Sequence, residues 1–107
     1  MSQLFKTEID NDLLFKYLDL VCEKTEKYYI YDICSYKKGE LNGENKNFCN
    51  SILPYYHKAK QKYITRELNY TKFVTIIRQI CKQNMISFTT KIVYSKSKYN
   101  IPYYIYY

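Results

Sequence analysis

Between Tyr70 and Phe88 the spacing of apolar residues changes from helical to alternating, which restricts the chain to folds that join helices to a sheet. At about 100° per residue, Phe73, Ile76, Ile77, Ile80 and Cys81 share one side of a helix over 70–82, which Asn69 or Thr71 can cap. The opposite side holds Thr71, Lys72, Thr75, Arg78, Gln79, Lys82 and Gln83, with no acid among them. From Phe88 the period is two: Phe88, Thr90, Ile92 and Tyr94 alternate with Thr89, Lys91 and Val93, as a strand requires. After the basic loop Ser95–Asn100, a second strand is predicted over Ile101–Tyr107. Pro102 belongs at its start or on its free side, because it has no N–H to donate. The two strands form a predicted hairpin with a basic tip.

Earlier in the chain the same rules predict a first helix from Asp10 or Asn11 to about Lys24. Leu14, Leu18 and Val21 share a face that Tyr17 and Cys22 widen. Tyr28–Tyr31, aromatic and β-branched, suits a short strand. The polar run Lys37–Asn45 contains both glycines and reads as a loop. Phe48, Ile52, Tyr56, Ala59 and Tyr63 then continue a helical stripe through Pro54, which predicts one bent helix or two short ones ending near Thr65. A turn over 66–69 follows. The chain has 107 residues, no internal repeat and no low-complexity linker, and reads as one domain over 1–107.

Charge divides the chain. Met1 to Leu53 carries seven lysines against nine acids, a net of −2, while Pro54 to Tyr107 carries ten Lys or Arg and only Glu67, a net of +9. Such an asymmetry predicts a basic surface suited to a polyanion. The lysine and tyrosine bias matches AT-rich codons, but codon bias does not explain why the acids stop at Glu67.

Cys22, Cys34, Cys49 and Cys81 form no C-x-x-C pair, and His57 is the single histidine, so no metal site or cofactor is predicted. The opening Met1–Glu8 turns acidic before any apolar run develops, unlike a signal peptide. No apolar stretch nears the roughly 18 residues that span a bilayer. An intracellular, non-membrane setting with reduced thiols is expected. Glycine-rich phosphate loops and catalytic pairs are absent from the sequence, and His57 lies among Tyr55, Tyr56 and Lys58, so no enzyme is predicted.

The order helix, short strand, helix, helix, strand, basic loop, strand resembles the winged-helix variant of the helix-turn-helix domain. That resemblance implies an α+β fold, a three-helix core with a C-terminal β-hairpin, in which the third helix is the recognition helix and the hairpin loop the wing. Two departures stand out: Pro54 within the second helix, and the length of that helix. The lysine- and tyrosine-rich style around 73–82 and 103–106 also resembles small uncharacterised proteins of nucleocytoplasmic giant DNA viruses.

The expected function is nucleic-acid binding, duplex DNA first, with low sequence specificity. Arg78 and Gln79 are the candidates for reading base edges, with Thr71, Lys72, Thr75 and Lys82 beside them. Lys58 and Lys62 on the preceding helix and Lys96 and Lys98 on the hairpin tip are candidate phosphate contacts. Tyr99, Tyr103, Tyr104 and Tyr106 are expected to close a small core or pack on a sheet face in preference to stacking on the bases of a single strand. The alternative is a non-catalytic interaction or structural subunit that docks a protein partner within a larger assembly, such as that of a virus.

Overall fold

Leu14, Tyr17, Leu18 and Val21 recur at three and four residues and are the buried side of the first helix, α1 (Asn11–Val21). The computed structural model describes residues 9, 11–66, 68–90 and 101–107. The helix stops at Val21, short of Lys24. Glu23–Lys24 instead form a short strand, β1, whose residues pair antiparallel with β2 (Tyr28–Tyr31). Thr25 closes the turn between them, its hydroxyl accepting from the Lys27 and Tyr28 amides at 3.3 and 3.1 Å.

Helix α2 (Ile33–Leu41) starts at a capping box. Asp32 accepts from the Ser35 amide at 3.0 Å, and the Ser35 hydroxyl accepts from the Asp32 amide at 3.2 Å. The polar run expected as a loop is therefore the end of α2, a turn at Asn42–Gly43 and the beginning of α3 (Glu44–Ile52). Gly43 makes that turn with φ of 78°, where a side chain would be strained. A 3-10 turn over Leu53–Tyr55 carries Pro54 near its start, and α4 (Lys58–Arg66) follows, so the stripe through Pro54 is two short helices. Helix α5 (Tyr70–Gln83) is capped by Asn69, which accepts from the Lys72 amide at 2.8 Å. Past its end, Met85 adopts φ of 58°, and Ile86 and Met85 donate back to the Cys81 and Lys82 carbonyls at 2.8 and 3.4 Å. That is a Schellman ending with methionine in the glycine position.

Strands β3 (Phe88–Thr90) and β4 (Tyr103–Tyr106) complete an antiparallel sheet of order β1-β2-β4-β3. Tyr29 pairs with Ile105 and Tyr31 with Tyr103, and Phe88 pairs with Ile105 from the other side. Period two places these residues on one face, where Tyr29, Tyr31 and Ile105 join a single core with Leu14, Leu18, Phe73, Ile77 and Ile80.

This architecture overturns the winged-helix expectation. Four helices, α2 to α5, separate β2 from β3, where the three-helix core with a C-terminal hairpin has two, and β1 adds a second hairpin ahead of them. The reason lies in residues 33–45. The Asp32 cap and the close seat of Asn45 against Gly39 make helices of a stretch too polar to show an apolar stripe. The expected strand beyond Thr90 and the basic hairpin tip lie outside the described residues, as does Asp10, a candidate cap of α1.

Candidate nucleic-acid interface

Because Phe73, Val74, Ile76, Ile77, Ile80 and Cys81 face the core, α5 must present its remaining side to solvent. Thr71, Thr75, Arg78 and Lys82 are all exposed there, at spacings of four, three and four. They form one stripe about 16 Å long at about 1.5 Å per residue. The Thr75 hydroxyl donates to the Thr71 carbonyl at 3.0 Å, which leaves its lone pairs outward. The Arg78 guanidinium lies 5.5 Å from the centre of the Phe88 ring, so β3 packs against this cation.

Lys72 and Gln79 sit at the half-buried margin of the helix. Lys72 lies close enough to the Cys49 thiol of α3 for its charge to act on it. Burial pushes that thiol up to about 11, and the neighbouring ammonium lowers it. The Oε1 atoms of Gln79 and Gln83, one turn apart, are enclosed without a hydrogen-bond partner among the described residues. The Gln79 Oε1 is thus not offered as an acceptor at the surface.

On α4, Lys58 and Lys62 are exposed one turn apart, and Arg66 continues the row. Ala59, Lys62, Thr65 and Arg66 line an open cleft. The helix is anchored through Ile64, which is buried, and through Gln61, which donates to the Leu53 and Tyr56 carbonyls at 3.0 and 3.2 Å. The sequence context predicts a turn at Arg66; its place on an exposed helical row adds it to the candidate cations. Lys96 and Lys98 lie outside the described residues.

From Leu68 onward the chain contains no acid, so α5, β3 and β4 are free of negative side chains. The acids of the described residues belong to α1, the β1–β2 hairpin, α2 with its cap, and α3. Asp19 there pairs with Lys24 at 4.0 Å. His57 is exposed before α4, and no three His, Cys, Asp or Glu side chains of the described residues are grouped to hold a metal ion. No helix among the described residues is long and apolar enough to cross a membrane.

The outer face of the sheet was not expected as a site. Both β2 and β4 read Tyr-Tyr-Ile-Tyr, and their antiparallel register places Tyr28, Ile30, Tyr104 and Tyr106 on the side away from the core. Of the tyrosines expected to pack, Tyr103 stacks on Phe88 at 5.1 Å on the inner face, while Tyr104 and Tyr106 point outward. The repeated string and its alternation carried that signal. Comparison with known proteins found no match: no family, no curated protein and no solved structure corresponds to this chain.

Proposed function

We propose that the chain binds nucleic acid inside the cell through phosphate contacts from α4 and α5, holding the polyanion with little sequence preference. The observation that carries this reading is the exposed, acid-free stripe Thr71, Thr75, Arg78 and Lys82, with Lys58, Lys62 and Arg66 exposed on α4. Lysines supply charge without the fixed fork that reads guanine, and Arg78 is partly engaged with Phe88. With no wing-and-recognition-helix arrangement, there is no ground for docking α5 in a major groove. Contact is to the backbone, and base identity contributes little.

Fluorescence anisotropy with unrelated duplexes and single strands, at about 50 and about 200 mM salt, tests this. If about five cations contact phosphates, log affinity falls with log salt at a slope of roughly −4 to −5 on duplex. Lys62→Glu combined with Lys82→Glu weakens every sequence alike. Absence of binding at the lower salt refutes the reading.

A further inference from the structure

Resting on the nucleic-acid reading, we propose that the outer face of the sheet is a stacking platform for the bases of a single strand, with Tyr28, Tyr104 and Tyr106 as the contacting rings. The register sets Tyr28 opposite Tyr106 and Ile30 opposite Tyr104, with Thr89 beyond. The Tyr28 ring lies 5.1 Å from that of Tyr104 and 5.2 Å from that of Tyr106. The first pair meets edge to face at 80° and the second is tilted at 56°, so the three rings form one contiguous aromatic patch. Ile30 fills the floor beside them.

These tyrosines differ from those of the inner face. Tyr29 donates its hydroxyl to Asp19 at 2.6 Å, and the Tyr31 and Tyr17 hydroxyls bond to each other at 2.9 Å, as buried phenols must. Tyr28, Tyr104 and Tyr106 are only half-buried or exposed, and their hydroxyls bond to none of the described residues. Three aromatic rings held on a rigid sheet, one face open, match the way unpaired bases are held: stacking accepts any base and needs no hydrogen-bond code. A duplex keeps its bases stacked within, so this face selects single strands while the helical cations accept phosphates of either form.

Charge favours the same occupant. Two of the three rings come from β4, and β3 and β4 belong to the acid-free half of the chain. Lys27 is exposed in the turn just before Tyr28. Among the described residues the nearby acids are Glu23, at the β1 edge opposite Ile30, and Glu26, exposed in the β1–β2 turn, so a polyanion crosses on the β2–β4–β3 side.

The test compares labelled oligothymidine, oligouridine, a duplex, and an abasic strand of equal length that has the phosphates but not the bases. Oligothymidine or oligouridine is expected to bind about tenfold or more tighter than the abasic strand. Tyr104→Ala with Tyr106→Ala removes that difference, and Tyr106→Phe keeps it. Unlabelled oligothymidine also quenches tyrosine emission in the native chain. Should the double variant fail to fold by circular dichroism, Tyr106→Ala alone carries the comparison, since that ring is 37% exposed and outside the core. Equal binding of abasic and base-bearing strands, still steep in salt, overturns the platform and leaves the phosphate reading intact. No binding of any strand at low salt overturns both. A dimer seen by light scattering that the tyrosine variants dissociate gives the face to a second copy of the chain and also overturns the platform.

Discussion

Asn45 of α3 occupies the space that any side chain at Gly39 of α2 would need. A methyl group at position 39 would lie 2.8 Å from Asn45 Cγ, closer still to its Oδ1, and 3.1 Å from a methyl of Val21. The close approach serves a hydrogen-bond chain through the core. Asn45 Nδ2 donates to the Tyr36 carbonyl at 2.8 Å, Tyr17 donates to Asn45 Oδ1, and Tyr31 in turn donates to Tyr17 at 2.9 Å. One buried amide thereby joins α1, β2, α2 and α3.

Gly39→Ala, in a helix where alanine is intrinsically favoured by about 1 kcal/mol, should nonetheless destabilise by about 1–3 kcal/mol through overpacking. In an Asn45→Ala background the same change should be neutral or stabilising. Urea denaturation of the four proteins of this cycle measures the coupling; additive effects would show that the two residues do not compete for space.

Tyr17→Phe leaves both the Tyr31 hydroxyl and Asn45 Oδ1 without their shared partner, and should cost about 1–3 kcal/mol. Tyr31→Phe removes only the end of the chain and keeps the Tyr17–Asn45 bond, so its cost should be about 1 kcal/mol or less. Equal losses in denaturant midpoint would contradict the direction of donation described above.

Met85→Gly should stabilise. Methionine at φ of 58° is 95% exposed and so loses no packing when truncated. Relief of the left-handed backbone is worth about 1–2 kcal/mol, less the extra freedom glycine gains in the unfolded chain, for a net of roughly 0.5–1 kcal/mol. A thermal melt that moves down would count against the Schellman ending of α5.

Stability should fall on the alkaline side. Burial raises the thiols of Cys49 to about 11 and of Cys22 and Cys81 to about 12, and it raises the phenols of Tyr17 and Tyr31. In the unfolded chain these groups ionise near about 8.5 for thiols and about 10 for phenols. Their neutral burial therefore contributes fully below about pH 8. It is lost as pH climbs toward the folded values, because the unfolded chain then binds fewer protons than the folded one. Denaturant midpoints should stay level from about pH 6 to 8 and drop from about pH 9 upward. A flat profile to pH 11 would contradict the burial of these groups.

The elements with strong periodicity were legible in the sequence. Helix α5 runs over Tyr70–Gln83 against an expected 70–82, and β2 occupies Tyr28–Tyr31 as expected. Helix α2 was not, because its buried residues are Ser35, Tyr36 and Gly39, which draw no apolar stripe. Its glycine, read as a loop marker, is there because Asn45 must approach. The exposed side of α5 followed from its period, whereas the pairing of Arg78 with Phe88 and the enclosure of the Gln79 carbonyl depend on contacts across the fold that spacing does not encode. The alternation in Tyr-Tyr-Ile-Tyr foretold two faces, but which tyrosines point outward was decided by the pairing of β2 with β4.

That pairing also sets the order of events in assembly. β4 lies inside the sheet, between β2 and β3, yet it is the last of these strands to be synthesised. Tyr28 waits for Tyr106, which comes seventy-eight residues later, so sheet closure is a late, non-local and slow step. Until then the edge of β2 is open, and its natural complement is its own tetrapeptide. In a crowded refolding mixture, β2 of one molecule can take β4 of another in the native register, giving a strand-exchanged dimer. The yield of monomer should therefore fall as refolding concentration rises.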